Sequence, residues 1–142
     1  MTLGDFIIKY IGKLVDYDKV YGSQCVDLVR QFIKDVLKVP QPESTDSSGA
    51  FTFFTNHGRR TVQNTYFDCV EVGVVGQPIP EGAIVVFKAT ANNRYGHIGI
   101  CVRVDKNIIY LFDQDGFKQD GAKITAHGYT NALGYLQKKA VV

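Results

Sequence analysis

About halfway along this chain the spacing of its apolar residues changes from a helical to an extended rhythm, and that single change limits the folds open to it. In the first half, Leu3, Phe6, Ile7, Ile11, Leu14 and Val15 fall on one stripe of a helix spanning about 2–15, and Thr2 with Asp5 forms its N-terminal cap. A second helix is expected from about Gln24 to Leu37. Val26, Val29, Phe32, Ile33, Val36 and Leu37 make its apolar face, and Pro40 stops it. Residues 41–49 read as a surface loop and Phe51–His57 as a short helix. Short runs rich in β-branched and aromatic residues follow at 69–75, 83–87, 97–104, 108–113 and 132–136, separated by Gly and Asn turns. Helices first and an antiparallel sheet after predict a two-layer α+β fold. Without a repeat or linker, residues 1–142 are expected to form one domain.

Charge and hydropathy narrow the function classes. The net charge is +2 and no dense Lys/Arg patch occurs, which argues against a nucleic-acid partner. No apolar run approaches the roughly 20 residues a membrane span needs. Asp5, Lys9 and Lys13 interrupt the opening stretch, so it does not read as a secretory signal.

Three cysteines at wide spacing are neither a disulfide framework nor a zinc pattern, and at least one thiol is left to be explained. Cys69 and Cys101 lie within apolar strands, where a thiol stays neutral and inert. Cys25 opens the second helix. The unpaired amides and partial positive charge of a helix start favour a thiolate and polarise a carbonyl oxygen placed there. Gln24 is a further donor for such an oxyanion site.

A thiol nucleophile of this kind wants an imidazole beside it. His57 and His127 read as loop residues whose loss should be nearly neutral, whereas His97 opens a strong strand between Gly96 and Gly99. If residues 105–107 form a three-residue hairpin loop with Asn107 left-handed, Val104 faces Ile108, His97 lies opposite Asp115, and Asp113 faces Gly99. Either carboxylate then stands ready to orient His97. A two-residue loop would turn both aspartates to the far face unless a bulge intervened.

In order along the chain, Gly22-Ser-Gln-Cys25-Val-Asp-Leu, Ile79-Pro-Glu-Gly-Ala-Ile-Val-Val-Phe87, Gly96-His97-Ile-Gly-Ile and Phe112-Asp113-Gln-Asp115 resemble the CHAP family, the cysteine, histidine-dependent amidohydrolases/peptidases of phage lysins and bacterial wall hydrolases. The resemblance implies a papain-like (NlpC/P60-like) fold, with Cys25 as nucleophile, His97 as base and Asp113 as orienting acid. Asp115 falls where relatives often carry Asn, which leaves open which aspartate orients His97. The implied substrate is peptidoglycan, cut at an amide bond of the stem or cross-bridge, or at the bond joining sugar to stem peptide.

Some CHAP relatives hold calcium through an Asp-x-Asp followed by an Asp after the cysteine. Carried over, the ligands are Asp16, Asp18 and Asp27, with the carbonyls of Val20 and Gly22. The protein is expected to act on the bacterial wall as a monomer, alone or within a longer protein bearing a wall-binding module, released by lysis machinery or delivered by a virion. The rival readings are a catalytically idle binding module on the same fold and a papain-like enzyme acting on another amide.

Overall fold

The computed structural model describes residues 1–20 and 22–140. Helix α1 covers Leu3–Tyr10, shorter than the apolar stripe suggested. Its start is the expected capping box: Thr2 Oγ1 accepts the Asp5 amide and Asp5 Oδ2 accepts the Thr2 amide, both at 3.1 Å. It ends early because the chain turns at Gly12, where φ is +80°, and Ile11 bridges to Ala122. Ile11 and Leu14 are consequently exposed, while Val15 returns to the core.

Helix α2, Cys25–Phe32, continues into a single π turn, Ile33–Leu37, and is ended by Lys38 in the left-handed conformation two residues before Pro40. Helix α3 is Thr52–Thr55, a 3₁₀ turn covers His57–Arg59, and α4, Thr61–Tyr66, was not anticipated. The strands are β1 Phe67–Glu71, β2 Ile84–Phe87, β3 His97–Asp105, β4 Ile108–Asp113, β5 Lys123–His127 and β6 Ala132–Lys138. The sequence reading missed β5 and extended β1 too far, into the exposed Val74 and Val75.

The strands form one antiparallel sheet in the order β1-β6-β2-β3-β4-β5. Alternation sorts its residues between two apolar layers. Ile84, Val86, Ile98, Ile100 and Phe112 pack with Phe6, Leu28 and Phe32 of the helices. Val85, Phe87, Cys101, Ile109 and Leu111 pack with Ile79, Tyr129 and Tyr135 on the other side. Both faces of β2 are therefore buried, which accounts for its unbroken apolar sequence. No helix among the described residues is long and apolar enough to cross a membrane.

The β3–β4 hairpin differs from the expected count. Asp105 pairs with Ile108, so the loop has two residues, and Lys106 rather than Asn107 takes the positive φ, +58°. Pairing then shifts between Cys101 and Arg103. That bulge adds Val102 to β3 and restores the side-chain phase beyond it. Asp113 thus faces Gly99 after all, through two compensating one-residue changes.

Candidate active site

Cys25 is the first residue of α2, half-buried at the floor of an open cleft. Its position is held from two sides. Asp27 Oδ2 accepts the Gln24 amide at 2.9 Å, closing the helix start. Gln114, fully buried just past β4, donates from Nε2 to the carbonyls of Gln24 (2.8 Å) and Val15 (2.7 Å) and accepts the Val15 amide at 2.8 Å. One side chain thereby ties the helix that Cys25 opens to the strand that ends in Asp113. Sequence reasoning passed over Gln114, because only the fold brings residues 15, 24 and 114 together.

His97 opens β3, and its Nε2 lies 2.7 Å from Asp113 Oδ2. The two glycines flanking it serve different needs. Gly96 has φ +71°, and a Cβ there would strike the Phe87 carbonyl at 2.5 Å. A Cβ on Gly99 would come within 2.9 Å of the Asp113 Cβ, so its absence lets the acid approach. Burial alone would lower the His97 pKa, but hydrogen bonds to Asp113 and Cys25 and the charges of both outweigh it and lift the pKa to about 10. Asp113 is the converse: burial raises its carboxyl, and bonds from His127, His97 and Thr125 bring it down to about 2. With Nε2 bonded to Asp113, Nδ1 is the His97 ring nitrogen that this carboxylate does not engage.

Asp115 does not face His97. It lies beyond the end of β4, where its Oδ1 accepts the amides of Phe117 (2.8 Å) and Lys118 (3.2 Å) and folds the following turn. The expected His97–Asp115 pairing is corrected accordingly. Gln24 is exposed and lines the cleft, with its main chain rather than its side chain in the contacts just described. Burial pushes the thiols of Cys69 and Cys101 up to about 11, as their strand positions implied.

The reading of His127 as a loop residue also fails. It ends β5, its ring stacks 5.6 Å from that of His97, and its Nε2 lies 2.9 Å from Asp113 Oδ2. Thr125, two residues earlier on the strand, donates from Oγ1 to Asp113 Oδ1 at 2.8 Å. The period-2 polar pair Thr125/His127 was the available signal, but the strand is short and flanked by glycines. His57, by contrast, binds Gln63 Nε2 through Nδ1 at 2.8 Å and lies outside the cleft lining.

The cleft has a volume of about 1240 Å³, above the ~300–1,000 Å³ of ordinary small-molecule sites. Residues 41–49 form one wall, a more ordered role than a surface loop. Arg30 donates to the carbonyls of Pro42 (3.1 Å) and Glu43 (2.9 Å), and Arg60 donates to those of Glu43 (2.6 Å) and Ser44 (2.9 Å). Tyr95 and Phe117 stack with centroids 6.5 Å apart among the lining residues.

The CHAP domain family model matches residues 15–115, a span that includes Cys25, His97 and Asp113. The chain belongs to the CHAP domain family. Among solved structures it resembles the wild type endolysin LysIME-EF1, with a TM-score of 0.63 and 18% identity over 96% of this chain and 64% of that one. It also resembles Ly7917 solved with the hydrolyzing product of MDP, with a TM-score of 0.68 and 15% identity over 94% of this chain and 60% of that one. The CHAP chain thus spans less than two thirds of the length of these structures. Their likeness identifies the papain-like α+β fold. No curated protein matches the sequence.

A second cluster lies beside Cys25 of this CHAP domain. One carboxylate oxygen each from Asp16, Asp18 and Asp27 lies within 4.8 Å of the others. Asp16 Oδ1 is buried and has no hydrogen-bond partner among the described residues. Burial lifts the Asp27 carboxyl to about 6, against the Gln24 amide and with the help of the Asp18 and Asp16 charges. An unpaired buried carboxylate oxygen among other carboxylates fits a hard cation, whose charge and coordination would satisfy all three. Val20 and Gly22 occupy the same loop, where Asp18 Oδ1 accepts the Val20 amide at 2.9 Å and Gly22 has φ +74°.

Proposed function

We propose that this CHAP domain is a peptidoglycan hydrolase that cuts an amide bond of the bacterial cell wall by a Cys25–His97–Asp113 thiol mechanism. The observation that carries this reading is the meeting of a helix-start cysteine with an imidazole that Asp113 holds at 2.7 Å, in one open cleft. The endolysin resemblance supplies the substrate class, and the size of the cleft suits a polymer.

Proton transfer from Cys25 to His97 Nδ1 leaves a thiolate–imidazolium pair, which Asp113 stabilises from the Nε2 side. The thiolate attacks the amide carbonyl, and the Cys25 amide at the first position of α2 receives the developing oxyanion. His97 gives its proton to the amine as the C–N bond breaks, leaving a thioester. Water, losing a proton to His97, attacks that thioester, and collapse releases the carboxylate product and restores the thiolate. A stem or cross-bridge peptide bond and the N-acetylmuramoyl-L-alanine bond are both amides, and the same residues serve either.

Asp16, Asp18 and Asp27, with the carbonyls of Val20 and Gly22, are assigned to calcium. The ion would neutralise the three carboxylates and brace the loop that leads into α2. Iodoacetamide tests the central assignment. Alkylation of Cys25 should abolish clearing of purified peptidoglycan. Clearing that survives full Cys25 alkylation, or cleavage of casein with intact peptidoglycan, would overturn it.

A further inference from the structure

We infer that His127 is a positioning residue of the catalytic unit, which fixes Asp113 through an Nε2–H donor on the strand beyond the acid. The inference rests on the hydrolase reading above and extends it from three residues to five.

The hydrogen bonds assign the protons. Thr125 Oγ1 lies 2.8 Å from Asp113 Oδ1 and 2.7 Å from His127 Nε2. An ionised carboxylate only accepts, so the single hydroxyl proton of Thr125 goes to Asp113. Thr125 must then accept from His127, and His127 carries its proton on Nε2. That single N–H is shared with Asp113 Oδ2 at 2.9 Å, the oxygen that holds His97 at 2.7 Å. Asp113 is thus held at three points: Thr125 on Oδ1, and both imidazoles on Oδ2.

Packing locks the second imidazole in place. Its ring lies 5.2 Å from that of Phe87 and 5.6 Å from that of His97. Phe87 also pairs with His97 across β2 and β3. A ring held in this way keeps the carboxylate from turning out of line when His97 gains and loses its proton during turnover. His127 faces the orienting acid and acts through it.

Three variants and two readouts test the inference. His127→Ala should lower kcat by about 10–100-fold at unchanged KM, the range that loss of an outer hydrogen-bond partner costs at metal sites. His127→Gln, which can place an amide N–H near the same point, should recover most of that loss. Thr125→Val should resemble His127→Ala. In the resting protein, the downfield proton resonance of His97 Nε2–H should weaken in His127→Ala and return in His127→Gln. This second readout needs no substrate, so it remains decisive even if the bond or polymer assigned above is wrong. A resonance and kcat unchanged in His127→Ala would overturn the inference. A raised KM with unchanged kcat, or a loss that follows a fall in melting temperature and is not rescued by Gln, would overturn it equally.

Discussion

At the scale of single residues, the mechanism makes two groups indispensable. Cys25→Ala and His97→Ala should each lower kcat by on the order of 10³-fold or more, and the double variant should be little worse, because the two act as one unit. Steady-state rates on a soluble muropeptide check this. The ion pair also predicts a pH dependence of stability. The His97 pKa rises from 6.5 to about 10, so its contribution is complete below 6.5 and is lost as pH climbs through 10. The Asp113 pKa falls from 3.8 to about 2, so its contribution is complete above 3.8 and is lost as pH drops through 2. The melting-temperature gap between wild type and Asp113→Asn should therefore be widest between about pH 4 and 6.5 and shrink toward pH 10. Cys25 and His97 were legible as candidates because a helix start and a strand start are local patterns, whereas the sequence left open which of Asp113 and Asp115 faces His97. His127 was not legible: its strand is five residues long, and what gives it a role is pairing with β4.

At the scale of elements, the site depends on how α2 and β4 are tied together. Gln114→Ala would leave both main-chain groups of Val15 without this partner and the Gln24 carbonyl with the Asp27 amide alone. It should destabilise the protein by about 1–3 kcal/mol. It should also lower kcat beyond what a shared melting curve explains, because Cys25 loses its fixed distance to His97. Thermal melts and kcat measured side by side separate the two effects. The hairpin shows where sequence reasoning runs out. Placing Asp113 opposite Gly99 required either a three-residue loop or a two-residue loop with a bulge, and Val102 carries no Gly or Pro to mark one. The wall formed by residues 41–49 was similarly hidden, since the arginines that brace it come from α2 and from just before α4.

At the scale of the whole molecule, the architecture was the easiest part to read. A helical half and a strand half had to pack as layers, and among the described residues the short β5 and α4 escaped notice. The proposed calcium site in the acidic loop would link global stability to the active site. Calcium should raise the melting temperature of the wild type, and Asp16→Asn should remove that response. The response should fade as pH falls through about 6, where Asp27 takes up a proton and no longer offers a full charge. The central claim is amide hydrolysis of peptidoglycan through Cys25, and mass spectrometry of the fragments released from purified peptidoglycan tests it most directly. Wild type should release fragments bearing a new amine and a new carboxylate at one amide bond, and Cys25→Ala should release none. Fragments carrying new reducing sugar ends instead, or the same fragments from Cys25→Ala, would contradict the account.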